Sequence, residues 1–89
     1  MAAKKKAQAV YNRTSLTAEQ IDSLPVIGET VSNWRQRNIV LRQHPTDENR
    51  LISVGTTFDK SMVVIADESR KDWQTALDYI GMGKIYVSQ

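Results

Sequence analysis

The feature that most limits the folds open to this chain is a pair of β-rich segments on either side of a polar turn. The segments are IVL at 39–41 and LISV at 51–54, and RQHPTDENR lies between them. Branched aliphatic residues favour strands, whereas Pro, Asp and Asn favour turns, so the pattern predicts a β-hairpin. A further short apolar run, SMVVIA at 61–66, predicts a well-buried strand beside the hairpin.

A short helix is predicted before the hairpin. In SLTAEQIDSLP, Thr17 is the expected N-cap and Gln20 follows three residues later, which is the spacing of a capping box. Leu16 is placed to pack against Ile21. Pro25 ends the helix, because the residue before a proline avoids the helical region. The expected helix therefore has about two turns.

A later helix is predicted from Glu68 to Ile80, with Asp67 or Ser69 as its cap. Its apolar residues form one stripe, as in a core-facing helix: Trp73, Ala76, Leu77 and Ile80. The segment GKIYV at 83–87 then predicts a last short strand that pairs back into the sheet.

Residues 26–38, VIGETVSNWRQRN, are compatible with two structures. Val31 and Trp34 are three residues apart and fall on one face of a helix, and period-two alternation is absent between Glu29 and Gln36. These observations favour a helix. The competing prediction is a strand from Val26 to Trp34, because Val, Thr and Trp are good strand formers.

Together these elements predict an α+β fold. Short N-terminal helices precede a small, mostly antiparallel β-sheet, and one helix from the C-terminal half packs on that sheet. Residues 1–14 contain few large apolar side chains and are predicted to be a flexible basic arm. Residues 15–89 are predicted to form a single domain.

The composition argues against an enzyme. The chain has no cysteine, and its one histidine, His44, lies before Pro45 in the predicted turn. No motif supplies this histidine with a nucleophile and an orienting acid. No spacing typical of metal ligands or of a dinucleotide-binding loop occurs either. We therefore expect no metal, no cofactor and no catalytic residue.

Charge is unevenly distributed along the chain. The formal net charge is +2, but residues 1–13 hold four basic side chains and no acid, whereas residues 51–89 hold more acids than bases. A polyanion-binding surface is therefore expected in the first half. No apolar run is long enough to span a bilayer and no secretory signal is recognisable, so we expect a cytoplasmic protein without a membrane partner.

The first half of the chain also has the order helix, turn, helix, hairpin. Within it, ETVSNW resembles the start of the recognition helix in phage excisionases and MerR-type regulators, and the resemblance covers about residues 16–54. It implies a winged helix-turn-helix that binds duplex DNA, with Val31 and Trp34 in the core. Together with the basic arm, it implies these nucleic-acid contacts: Lys4, Lys5, Lys6, Arg13, Thr30, Ser32, Asn33, Arg35, Arg37, Arg42 and Arg50. A strand at 28–38 would exclude this winged-helix interpretation of DNA binding.

The alternative is a protein-docking domain. Val10 and Tyr11 stand out in the otherwise polar arm and are candidates for binding a partner. In this interpretation the chain is a phage-type structural or accessory protein that docks on a larger protein assembly in the virion. A variant of the same class inhibits a host enzyme through its arm and sheet. The sequence leaves open which interpretation holds, and also leaves open a homo-oligomer.

Overall fold

The computed structural model describes residues 8–33 and 36–80 of the 89-residue chain. Within these ranges the elements are β1 (Ala9–Asn12), α1 (Ala18–Asp22), β2 (Val26–Ser32), β3 (Arg37–Gln43), β4 (Arg50–Thr57), β5 (Met62–Ser69) and α2 (Arg70–Ile80). The strands form one sheet in the spatial order β1-β5-β4-β3-β2. Strands β2 to β5 are an antiparallel meander, and β1 pairs in parallel with β5. The predicted α+β fold with a mostly antiparallel sheet is confirmed.

Two hydrophobic clusters cover opposite faces of this sheet. Neighbouring residues of a strand point to opposite faces, and Leu51 and Ile52 of β4 belong to different clusters. Leu51 packs with Leu77 of α2, on what we call the α2 face. Ile52 packs with Ile21 of α1, on the α1 face. Each helix thus shields one face, and each fully buried aliphatic side chain contributes about 1.5–3 kcal/mol to stability.

The predicted first helix is confirmed, although it is shorter than expected. The Thr17 side chain accepts a hydrogen bond from the Gln20 backbone at 3.2 Å, and the Gln20 side chain accepts one from the Thr17 backbone at 2.8 Å. The capping box therefore forms. The helix has five residues and ends at the C-cap Ser23. Leu16 packs in the same cluster as Ile21, as predicted.

The predicted second helix is also confirmed, with a later start. It begins at Arg70, because β5 continues as far as Ser69 and pairs there with β4. The Ser69 hydroxyl accepts a hydrogen bond from the Asp72 backbone at 3.3 Å, so Ser69 is the cap. Leu77 is buried as predicted, and Trp73 is partly buried against the same cluster. The strand predicted at 83–87 lies outside the described residues.

The helix favoured for residues 28–38 is wrong. Strands β2 and β3 occupy this stretch, and the chain reverses between them, where Gln36 N donates to Asn33 O at 3.3 Å. The competing strand prediction is confirmed as far as Ser32. Trp34 and Arg35 lie outside the described residues.

A β-bulge, followed by residues of inverted polarity, hides the period-two pattern of this strand. The pairing register shifts between Val26 and Gly28, so two residues of β2 oppose one residue of β3 and the alternation restarts. After the bulge, Thr30 is buried and Val31 is 40% exposed. The polar residue therefore lies inside and the apolar residue outside. Val31, expected in the core, is on the surface.

Strand β1 lies within the segment predicted to be a flexible arm. Residues Ala9–Asn12 pair in register with residues 62–65 of β5. Val and Tyr are good strand formers, and β5 would otherwise present unpaired backbone groups at the sheet edge. The Asn12 side chain ends the strand by accepting a hydrogen bond from the Thr14 backbone at 2.9 Å. Residues 1–7, which include the three lysines, lie outside the described residues.

Candidate docking edge and adjacent groove

The outer edge of β1 is an open row of backbone groups. Ala9 and Arg13 donate their backbone N–H groups inward, to the carbonyls of Ser61 and Ile65, at 3.0 and 2.9 Å. Alternate residues of a strand direct their backbone groups the same way, so Val10 directs its N–H and C=O away from β5. Since β1 is the last strand in the sheet order, no described strand pairs with these groups.

The side chains of β1 leave this edge apolar and accessible. Val10 is 57% exposed and Tyr11 is 53% exposed, and they lie on opposite faces of the sheet. The strand AVYN contains no charged residue, no proline and no bulge, which are the features that usually protect a sheet edge. The two residues predicted to bind a partner therefore lie together on an unprotected edge strand.

The opposite edge of the sheet, β2, is protected. Gln43 N donates to Pro25 O at 2.8 Å, so the odd-numbered residues of β3 face β2. From the register, Glu29 and Val31 then direct their N–H groups outward. The charge of Glu29 and the bulge at the start of β2 both disfavour pairing with another strand. The two edges thus differ in what they offer to a partner.

A groove of about 360 Å³ crosses the part of the α2 face that α2 leaves uncovered. Small residues form its floor: Ser53, Gly55, Val64 and Ala66. Larger residues form its rim: Tyr11, Arg13, Arg37, Met62 and Trp73. The concavity follows from this contrast in side-chain size, since the sheet beneath is continuous from β1 to β3.

Arg37 enters the groove from β3. Its Cδ lies 3.4 Å from the position that a Cβ on Gly55 would take, so the missing side chain at 55 gives Arg37 its space. The Nε atom is buried and has no hydrogen-bond partner in residues 8–33 and 36–80. A buried donor without an acceptor costs about 1–3 kcal/mol, and more when it is charged. The fold therefore leaves the Nε donor of Arg37 unsatisfied beside this groove.

The α2 end of the groove holds a carboxylate that two donors fix in place. Glu68 Oε2 accepts hydrogen bonds from Ser53 Oγ at 2.5 Å and from Trp73 Nε1 at 2.8 Å. The second bond ties α2 to β5, in addition to the packing of Leu77. The groove consequently has two cationic side chains, Arg13 and Arg37, on its rim and the carboxylate of Glu68 at its α2 end.

Two of the arginines predicted to contact nucleic acid hold parts of the fold together. Arg42 Nη1 donates to Leu24 O at 2.7 Å and to Asp22 O at 3.3 Å, at the end of α1. Arg50 Nε donates to Asp67 Oδ1 at 2.6 Å, between β4 and β5. The structure describes four arginines of the predicted set. Arg13, which is exposed, and Arg37 line the groove, whereas Arg42 and Arg50 do not.

The remaining residues of the predicted nucleic-acid set are not aligned on a helix. Thr30 is buried in β2, Ser32 is the last residue of that strand, and Asn33 is exposed in the following turn. Arg35 and the residues Lys4–Lys6 lie outside the described ranges. The recognition helix implied by the resemblance is replaced by a hairpin. DNA binding itself stays a prediction.

His44 shapes the turn between β3 and β4. Its Nδ1 accepts hydrogen bonds from the backbones of Thr46 at 3.1 Å and Asp47 at 2.9 Å. An accepting Nδ1 places the ring proton on Nε2, which lies 3.5 Å from Asp67 Oδ2. The histidine is thus engaged on both ring nitrogens.

Sequence reasoning did not identify the groove. Part of its floor comes from alternate residues of β5 that lie in a continuous apolar run of the sequence, and the sequence predicts Glu68 at the start of a helix. A signal was present: Met62, Val64, Ala66 and Glu68 alternate along β5 and share one face. Gly55 gave no turn signal, and a glycine inside a strand often marks a close approach of this kind.

The described ranges contain no group of three or more His, Cys, Asp or Glu side chains that could hold a metal ion. They also contain no helix long and apolar enough to cross a membrane. No family model, no curated protein and no solved structure matches this chain. Function is therefore inferred from the geometry of the β1 edge and the groove.

Proposed function

We propose that this chain is a small, non-enzymatic protein-docking domain that pairs an extended segment of a partner with the free edge of β1. The unprotected edge is the observation that supports this function. A partner strand would form backbone hydrogen bonds with the outward groups of Val10 and Asn12. Its alternate side chains would pack beside Val10 on the α1 face and beside Tyr11 on the α2 face.

The contrast between the two edges favours β1 as the docking strand. A flat, uncharged edge strand is a site of aggregation unless something covers it, and natural sheets protect such edges. Strand β2 has this protection through its bulge and Glu29, whereas the described residues provide none for β1. An exposed Val and Tyr on the unprotected strand suit a partner contact, because Tyr is enriched at interfaces.

The proposed partner is a protein that belongs to a larger assembly, and its docking segment has alternating apolar side chains. In that role this chain would be a phage-type structural or accessory protein, in the virion or in the cytoplasm. Alternatively, it would be an inhibitor that pairs with a strand of a host enzyme. A second copy of the chain is another strand donor, which would pair β1 with β1 in a homo-oligomer. The molar mass in solution separates these arrangements.

A displayed library of random peptides of about eight residues, panned on the full chain, tests the proposal. We expect enriched peptides with alternating apolar residues. Their binding should be lost in Val10→Pro, which removes an outward N–H of β1. Val31→Pro is the matched control, because it removes an outward N–H from the β2 edge and should leave binding unchanged.

Two results would contradict the proposal. One is that no peptide is enriched. The other is that the enriched peptides bind Val10→Pro as tightly as the unaltered chain, which would place their contact elsewhere. Circular dichroism of both variants establishes that the sheet persists, which is expected because neither N–H is used inside the sheet.

A further inference from the structure

We propose that the groove on the α2 face is a binding site for an organic carboxylate, held by the guanidinium of Arg37. This site goes beyond strand docking and does not depend on it: Tyr11 borders both sites, but Val10 and the open backbone groups of β1 take no part in the groove. The ligand class follows from the free donors of Arg37, the apolar floor and the position of Glu68.

The guanidinium of Arg37 keeps a donor without a partner. Its Nε is buried and has no hydrogen-bond partner among the described residues, and the Arg37 side chain lines the groove. No described residue accepts a hydrogen bond from any of the three nitrogens. A pair of parallel N–H donors fits the two oxygens of a carboxylate, and such bidentate bonds are about twice as strong as neutral ones.

The residues around Arg37 determine which group attached to the carboxylate fits the groove. The floor next to it is apolar at Val64 and Ala66, and Tyr11 stands at the rim, so an apolar or aromatic body can lie over β5. Glu68 is fixed at the other end and repels additional negative charge. Because the floor is apolar, a carboxylate with an apolar body fits better than inorganic phosphate, and the groove of about 360 Å³ has room for a small aromatic carboxylate.

Nuclear magnetic resonance of the full chain tests this site with three probes: hippurate, its uncharged amide hippuramide, and inorganic phosphate. We expect hippurate to shift the Arg37 Nε–H signal and the backbone amides of Gly55 and Val64 in a saturable way. Hippuramide and phosphate should bind at least about tenfold more weakly, because one lacks the charge and the other lacks the apolar body.

Substitutions of Arg37 separate the effect of the paired N–H donors from the effect of the positive charge. Arg37→Lys keeps the charge but removes the paired donors, and it should weaken hippurate binding by about tenfold or more. Arg37→Gln should abolish binding, whereas Lys71→Gln makes the same change in net charge on the exposed first turn of α2 and should have no effect. Val10→Pro should also leave hippurate binding unchanged.

Three results would overturn the assignment. Hippurate gives no saturable shift, or phosphate or hippuramide binds as well as hippurate, or Arg37→Lys binds like the unaltered chain. Gly55→Ala provides a second variant that keeps Arg37, since its Cβ meets only ordinary or slightly tight contacts. The added methyl group occupies space at the floor of the groove, so Gly55→Ala should reduce the affinity for hippurate. An unchanged affinity would contradict the proposed position of the ligand.

Discussion

Arg42 and Arg50 show at the residue level that burial decides what an arginine contributes. Arg42 bonds to backbone carbonyls at the end of α1, and one of these bonds is partly buried. Arg50 bonds to the carboxylate and the backbone carbonyl of Asp67 at the surface, where the two side chains are 42% and 36% exposed. Water can replace the second interaction more readily than the first, so equal charges have unequal effects on stability.

We expect Arg42→Met to lower the free energy of unfolding by about 1.5–3 kcal/mol, because charged hydrogen bonds are lost and Leu24 O keeps no donor. Arg50→Met should lower it by less than about 1 kcal/mol, as for other exposed ion pairs. Urea denaturation followed by tryptophan fluorescence measures both. Equal losses in the two variants would show that Arg42 is not holding α1.

Among the elements, α1 is the one whose local sequence determines most of its structure. A helix of five residues has too few internal hydrogen bonds to be stable alone, so its cap and its packing decide whether it forms. The reciprocal bonds of Thr17 and Gln20 satisfy two donors at its start. Ile21 then attaches it to the α1 face.

Replacing the cap should therefore destabilise the whole domain measurably. We expect Thr17→Ala to cost about 0.5–2 kcal/mol in the free energy of unfolding, whereas Thr17→Ser keeps the hydroxyl oxygen and should cost little. Chemical denaturation gives the stability, and hydrogen exchange of the Gln20 amide gives the local effect. If serine and alanine were equally destabilising, the methyl group of Thr17 would matter more than its oxygen.

The elements that the sequence predicts are those specified by local patterns. The capping box, the β3–β4 hairpin and the α2 stripe are local patterns, and each produces the expected element. The sequence does not reveal strand β2, because Thr30 is buried while Val31 is exposed, and because the segment before Gln36 contains neither Gly nor Pro. Strand β1 was missed because a short strand at an edge is stabilised by its neighbour β5, which lies about fifty residues away in sequence.

The candidate site was predictable only in part, for the same reason. Val10 and Tyr11 were recognisable as apolar residues in a polar segment. The groove depends on Arg37, Gly55 and Glu68, which come from three different strands and meet only through the register of the sheet. Local sequence patterns contain no information on such a register, because it is set by pairing between distant segments.

On the scale of the whole molecule, the described part of the chain is acidic although the full sequence is basic. Residues 8–33 and 36–80 hold seven Lys and Arg against ten Asp and Glu, a formal charge of −3, while the full chain has +2. The excess of positive charge belongs to Lys4–Lys6, Arg35 and Lys84. Any attraction to a polyanion is therefore expected to come from those residues and not from the sheet.

This charge distribution leads to a definite expectation for duplex DNA. Fluorescence anisotropy at about 50 and 200 mM salt should show weak binding that falls steeply with salt, because only phosphates are contacted. Two unrelated duplexes should bind equally, since strands β2 and β3 replace the recognition helix that was expected to read base edges. Replacing Lys4, Lys5 and Lys6 together with alanine should remove most of this binding, whereas Arg42→Ala should not change it. A preference of about tenfold for one duplex that disappears in Arg37→Ala would contradict this expectation, because a preference of that size requires contacts to base edges or to a sequence-dependent DNA shape.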